Sequence, residues 1–286
     1  VTILQADIDQ TSDEALGDML KGHDALVYAV GPDDRIELES GVKARDFFQK
    51  HLVDRTERVL KIAKQSGVEK AIIFGSYFSY ISNHGLAGVP VGQLERHPYI
   101  EARVDQTKRG FALGDDGFAV AVLNIPYVFG VAPGKTPIWR HVFLERFKDF
   151  PKIYYGNGGT TVISAKKIAV ATAQAIEFAA HGDELAVGSK NMKFHPMIEQ
   201  LLREAGIGKP VGYLPNWLLS LGMKRQYEKA KKAGLDAGLD LRYLTDDILK
   251  RDLYVDFAAT DERLHMTDFV DDIDAAIRET GEAMRQ

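Results

Sequence analysis

The chain contains no cysteine, which excludes disulfides, thiolate nucleophiles and thiolate metal sites together. No apolar run approaches the roughly 18 residues of a membrane-spanning helix, and residues 1–8 are neither basic nor long enough to be a signal. No membrane partner is therefore expected, and a cytoplasmic protein is the default. No block of like charge interrupts the mixture of signs, and the formal net charge is −5, so there is no basic face for nucleic acid. The sequence also lacks an opening methionine, from which we expect that further residues precede Val1.

What is present suffices for a large fold. A chain of 286 residues, 45% of them hydrophobic, can bury the core of one α/β domain, or of such a domain and a smaller lobe. Residues 1–8 read as a strand ending in Asp7, and the turn and cap types at Asp9, Thr11, Ser12 and Asp13 lead into a helix over 14–20. Residues 23–32 form a second short apolar strand running into a Gly-Pro turn at Gly31. After an acidic segment at 33–40 comes a long amphipathic helix, with Val53, Val59, Leu60 and Ala63 inward and Lys50, Glu57, Arg58 and Lys61 solvated.

Residues 71–76 are a short apolar run ending in Gly75-Ser76, the pattern of a buried parallel strand that delivers a hydroxyl to the carboxyl edge of a sheet. Residues 82–96 form a long Gly/Pro-rich connection of the kind that covers a site. A helix follows from Pro98 to about Leu113, on which Tyr99 and Arg103 are one turn apart and share a face. Ser76, Tyr99 and Arg103 make a proton-handling trio, in which the fixed cation is expected to lower the phenol pKa from about 10 toward working pH. The competing reading of Tyr99 and Arg103 is a surface helix pair.

Residues 118–126 are another buried strand, leading into Tyr127-Val128-Phe129-Gly130, and residues 184–188 are a further one. The glycine cluster at 156–159 does not open a helix directly after a strand, so it reads as a turn. Ser164 or Ala165 is placed to cap a helix reaching Ala179. The last third is helix-rich, with a helix over 197–205, the tandem Ala-Gly-Leu-Asp at 233–236 and 237–240, and a terminal helix before Gln286 with Ile273, Ala276 and Ile277 inward. Two units are too few for a solenoid.

The order of strand, Ser76, then Tyr99 and a cation four residues on, with Ser76 and Tyr80 also four apart, resembles the extended short-chain dehydrogenase/reductase superfamily, the NAD-dependent epimerases and dehydratases. The resemblance covers most of the chain. It implies a Rossmann-like, doubly wound parallel sheet with a smaller, mostly helical C-terminal substrate lobe. The dinucleotide domain would comprise 1–130 plus about 160–190, and the substrate lobe about 131–159 plus 191–286. It implies NAD or NADP as cofactor and a small carbonyl or sugar-like substrate undergoing hydride transfer at a carbinol or ketone carbon, as a reductase, epimerase or dehydratase; homodimerisation stays open.

By the same resemblance Ser76, Tyr99 and Arg103 are catalytic. Asp7 and Ile8 contact adenine, Ala29, Val30 and Gly31 lie under the ribose and pyrophosphate, and Pro126, Tyr127 and Val128 lie against the nicotinamide. Tyr99 and Arg103 also touch the cofactor, and Tyr80, His84, Trp139 and His141 face the substrate. Asp7 could equally just start a turn, and Gly31 could be ordinary turn chemistry. No metal is expected. Two departures stand out. Arg103 occupies the position of the family's lysine, and its planar fork does not reproduce a compact ammonium. The family's glycine-rich cofactor loop has no counterpart within the chain, and is expected ahead of Val1. The alternative function is a non-catalytic nucleotide-binding or regulatory protein of the same fold.

Overall fold

A computed structural model describes residues 2–147 and 149–285. Val1 and Gln286, which bound the first and last expected segments, lie outside the described residues. The strands are β1 (Ala25–Tyr28), β2 (Lys70–Ser76), β3 (Ala119–Ile125), β4 (Tyr127–Phe129), β5 (Ile153–Tyr155), β6 (Gly159–Ser164), β7 (Glu184–Ala186), β8 (Lys190–Lys193), β9 (Val211–Tyr213) and β10 (Asp252–Leu253). The helices are α1 (Asp13–Leu20), α2 (Ala44–Phe48), α3 (Arg55–Gln65), α4 (Tyr77–His84), α5 (Pro98–Leu113), α6 (Ala165–Phe178), α7 (Phe194–Glu204), α8 (Asn216–Lys232), α9 (Ala258–Arg263) and α10 (Ile273–Ala283).

The main sheet runs β1-β2-β3-β7 and every pairing in it is parallel. Its two middle strands are buried on both faces, which is why Ala71 to Ile73 and Val120 to Leu123 read as unbroken apolar runs. On one face Val59, Leu60 and Ala63 of α3 pack over Ile73, Val120 and Val122. On the other, Ala171 and Ala175 of α6 pack over Ile72, Ala121 and Leu123. This is the doubly wound α/β architecture expected from the sequence. The α6 cap is Ser164, whose Oγ accepts from the Lys167 amide at 2.9 Å.

A second sheet orders β10-β6-β4, with β8 antiparallel to β6, and β5 pairs with β9. One apolar cluster joins Phe48, Leu52, Tyr99 and Ile100 to Leu201, Ile248 and Leu249, so the C-terminal helices share a core with α2 and α5. The glycine turn at 156–159 serves this packing: the Gly158 amide donates to the Leu249 carbonyl, and a Cβ at 158 would lie 2.2 Å from the Arg251 oxygen.

Three expectations are corrected. Residues 2–7 form no strand; residues 2–6 are exposed, and Asp7 starts a turn in which its carbonyl accepts from Gln10 and Thr11 and its Oδ1 from the Asp9 amide. An apolar pattern becomes a strand only where a ladder partner and a face to cover are supplied. The long helix is interrupted by a π-helical stretch at Gln49–Asp54 between α2 and α3. The connection 82–96 does not cover the cleft described below. It is drawn toward Asp247 through Gln93 and Arg96.

Candidate active site

β2 ends at Ser76, where the backbone turns into α4. The Ser76 Oγ accepts from the Phe78 amide at 3.3 Å and so caps the new helix while its own proton stays available. Parallel register sets Ser76 beside Ile125, which brings the carboxyl ends of β2 and β3 and the following Pro126 to one edge.

Across this edge lies the first turn of α5. Pro98 sits where its missing N–H costs nothing, and the Tyr99 amide donates to the Gly238 carbonyl at 2.9 Å. The residue before, His97, is fully buried; its Nδ1 accepts from the Asp240 amide at 2.9 Å, so its Nε2 carries the proton toward Asp247 at 3.1 Å. Burial raises the Asp247 pKa, but hydrogen bonds from His97, Arg96 and Gln93 outweigh it and hold the carboxyl down at about 2. The tandem Ala-Gly-Leu-Asp thus acquires a role. Asp236 accepts from the Ala44 amide at the start of α2, while Gly238 and Asp240 hold the start of α5.

Tyr99 and Arg103 are 7% and 8% exposed, so they are not a surface pair. Arg103 Nε donates to the Tyr99 hydroxyl oxygen at 3.1 Å, and Nη1 donates to the Phe74 carbonyl and to Gln106 Oε1 at 3.0 and 2.8 Å. Gln106 is in turn tied to Thr56 Oγ1 at 2.7 Å. Arg103 Nη2 has no hydrogen-bond partner among the described residues, and a Cβ built on Gly31 would lie 3.6 Å from it. Gly31 has φ of +151°, and its backbone forms an exposed ledge with Ala29 and Val30 after β1.

A cleft of about 140 Å³ opens between these elements, lined by Ser76, Tyr99, Pro126, Tyr127, Val128 and Trp139 and by the segment 33–35. Trp139 Nε1 donates to the Val128 carbonyl at 2.7 Å, and its ring stacks on Phe129 and Phe143. Arg35 lies over Tyr127 and Trp139 at 5.3 and 5.2 Å, with Nη1 at 3.1 Å from Asp33 and 3.5 Å from Asp34. Burial pushes the Asp34 carboxyl up to about 6 against the pull of Arg35, and the Asp33 charge pushes the same way.

This environment reverses one expectation. Burial raises the Tyr99 pKa, and although Arg103 pulls it down, Asp34 and Asp33 add to the rise. The phenol is therefore protonated at neutral pH.

No protein-family model matches the chain, and no curated protein matches it in sequence. Solved structures do. The protein gox2253 superposes with a TM-score of 0.73 at 18% identity, over 98% of this chain and 83% of that one. The UDP-glucuronic acid 4-epimerase of Bacillus cereus, in complex with UDP-glucuronic acid and NAD, gives 0.66 at 14% over 98% and 80%. A double mutant of DesIV, a dTDP-glucose 4,6-dehydratase of Streptomyces venezuelae with NAD bound, gives 0.65 at 15% over 98% and 78%. The chain has the doubly wound, Rossmann-type α/β fold of this epimerase and this dehydratase.

Within that fold the residues singled out in the sequence divide into groups. Ser76, Tyr99, Pro126, Tyr127, Val128 and Trp139 line one cleft, with Arg103 behind Tyr99 and residues 29–31 beside Arg103. Tyr80 and His84 do not line it: their rings pack at a tilt with centres 4.3 Å apart, and His84 Nε2 meets Glu184 at 3.0 Å at the β7 side. His141 is exposed and pairs with Glu145 at 3.2 Å, in a groove on the far side of Arg35. Asp7 and Ile8 occupy the turn before α1, where the Ile8 carbonyl accepts from Arg58. Asp33, Asp34 and Arg35 are the residues that sequence reading missed. The signal was an opposite-charge triplet directly after the Gly-Pro turn of a strand, at the same sheet edge as Ser76.

Proposed function

We propose that the chain is an NAD(P)-dependent oxidoreductase that transfers a hydride at a carbinol or ketone carbon of a small molecule, alone or as one step of an epimerisation or dehydration. The observation that carries this reading is the single cleft onto which Ser76 and Tyr99 both open, with Arg103 Nε held at 3.1 Å from the Tyr99 oxygen.

The described residues fit the nicotinamide and ribose end of a dinucleotide. Residues 29–31 present an exposed ledge beside Arg103, whose Nη2 would offer two donors to ribose hydroxyls, and Pro126 to Val128 form a wall of the cleft. NAD or NADP would supply or accept the hydride there. The protein's part is to hold and move the proton. Ser76 donates a hydrogen bond to the substrate oxygen, and Tyr99, protonated at neutral pH, passes its proton to that oxygen as the ketone carbon gains hydride, giving the carbinol. The phenolate left behind is stabilised by Arg103 and recovers its proton from solvent, because arginine cannot release one. In oxidation the same phenol must first be deprotonated, so the raised Tyr99 pKa favours reduction at neutral pH.

A second reading rests on Arg103 itself. Pinned by Phe74 and Gln106, it stabilises the fold as well as the site, which suits a nucleotide-binding protein without turnover. Titration of NADH and NADPH by fluorescence, into the 286-residue chain and into protein from the complete gene, decides first. Binding followed by carbonyl reduction that falls about 10²- to 10⁴-fold in Tyr99→Phe, with the same cofactor affinity, is expected. Binding without turnover on any carbonyl, restored in neither wild type nor Arg103→Lys, selects the second reading. No binding of either dinucleotide by either protein refutes both.

A further inference from the structure

Asp34, Arg35 and Tyr127 line both this cleft and a second cavity of about 230 Å³ next to it. Its remaining walls are almost wholly apolar. Phe143 and Phe147 come from the segment after Trp139, Leu219 and Met223 from α8, and Leu239, Leu244 and Ile248 from the chain that follows. An apolar pocket adjoining a polar reacting end is the usual anatomy of a small-molecule site, and the two cavities together reach the roughly 300–1,000 Å³ of such sites. By volume the apolar part exceeds the roughly 150 Å³ apolar cavity that takes up benzene.

The charges point the same way. A nucleoside diphosphate needs free guanidinium or ammonium groups to take its oxygens. The cations at this cavity are Arg35, engaged by two carboxylates, and the exposed Arg146, 5.9 Å from the Phe147 ring centre, which leaves one uncommitted guanidinium at the rim for a diphosphate. Asp33 and Asp34 against the single Arg35 leave the junction between the two cavities without surplus positive charge. A substrate hydroxyl or carbonyl there finds both donor and acceptor.

We infer that the substrate of the Ser76–Tyr99 site carries an apolar group, the size of a fused bicyclic ring or a medium-length acyl chain, that fills this second cavity while its carbinol or ketone oxygen lies at Ser76 and Tyr99. This rests on the oxidoreductase reading for the second half of the statement only. Mostly apolar walls with one uncommitted cation favour such a hydrophobe over the UDP-glucuronic acid that the epimerase structure holds.

Binding is measured directly by isothermal titration calorimetry of the full chain, with and without NADH, using 2-acetylnaphthalene, acetone and UDP-glucose as probes. 2-Acetylnaphthalene is expected to bind at least about tenfold more tightly than acetone, from the apolar area it buries, and UDP-glucose not to bind. Met223→Trp, which fills the cavity from the half-buried face of α8, is expected to weaken 2-acetylnaphthalene about tenfold, and Leu241→Asp, at another lining residue of the cavity, to do the same by charging the wall. Each variant is compared with wild type by thermal unfolding, so that a misfolded one is set aside in favour of the other. Tight binding of 2-acetylnaphthalene without hydride transfer to it supports the pocket and overturns the placement of its carbonyl at Ser76 and Tyr99. Reduction of acetone with no gain in affinity from the naphthyl ring, or binding of UDP-glucose that Met223→Trp leaves unchanged, overturns the pocket and leaves that reading intact.

Discussion

Asp34→Asn should make the protein more stable at neutral pH. The Asp34 side chain is 8% exposed, and burial raises its pKa from 3.8 to about 6 even with Arg35 at 3.5 Å. The folded state therefore binds this proton more tightly than the unfolded chain does. The stability that the protonated carboxyl contributes is fully present below about pH 3.8 and is lost as pH rises through about 6. A shift of this size corresponds to about 3 kcal/mol between the two limits. Asparagine keeps the shape and does not titrate. The variant should match wild type near pH 4 and exceed it by up to about 3 kcal/mol at pH 8, seen as a rise of several degrees in Tm. The assay is urea unfolding of both proteins at pH 4.5, 6 and 8, reading only the difference between them so that every other titrating group cancels. A variant less stable than wild type by a constant amount at all three values would refute the reasoning, and would mean that the Asp34–Arg35 attraction outweighs desolvation of the carboxylate. Confirmation would mean that a carboxylate costly to the fold is kept beside Tyr99 and Tyr127, where its charge sets the potential of the cleft.

Two further outcomes follow from how α5 is anchored. Asp247→Ala strips the buried partner from His97, Arg96 and Gln93 and should destabilise by about 3–5 kcal/mol in denaturant unfolding; a loss under about 1 kcal/mol, the worth of an exposed pair, would show that the cluster is not desolvated. Gly238→Ala would place a Cβ 2.8 Å from two Phe48 ring carbons and 2.9 Å from the Asp34 carbonyl oxygen. It should cost about 1–3 kcal/mol and, because the Gly238 carbonyl holds the Tyr99 amide, also lower turnover. An unchanged midpoint and rate would refute that coupling.

The features legible in the sequence are those whose cause is local. The apolar runs at 71–76 and 118–126 read as buried parallel strands, Pro98 marked the first residue of α5, and the cap of α6 was narrowed to Ser164 or Ala165, of which the structure uses Ser164. Spacing alone put Tyr99 and Arg103 on one face, and a hydrogen bond joins them in the fold. What spacing could not supply was the balance of energies at Tyr99. The attraction of a cation is visible four residues away in the chain, whereas burial by Phe48 and the charges of Asp33 and Asp34 arrive from segments about 50 and 65 residues earlier. The first strand failed for the matching reason. Its residues have the right pattern, but a strand is decided by its partner, and residues 2–6 have none among the described residues.

The tandem at 233–240 shows how such distant terms determine the site. Read locally it is a duplication of turn-forming residues without function. In the fold its two halves do different work: the first aspartate caps α2, which carries the Phe48 ring packed edge-on against Tyr99 at 5.4 Å. The second half holds the Tyr99 amide through Gly238 and the His97 ring through Asp240. Both the backbone and the ring of Tyr99 are thus fixed by one eight-residue segment that lies between α8 and Asp247. The same segment supplies Leu239 to the apolar cavity. A ligand that orders this cavity would therefore stiffen the anchor of the proposed proton donor, which couples occupancy of the apolar pocket to the position of the Tyr99 hydroxyl through contacts already in place.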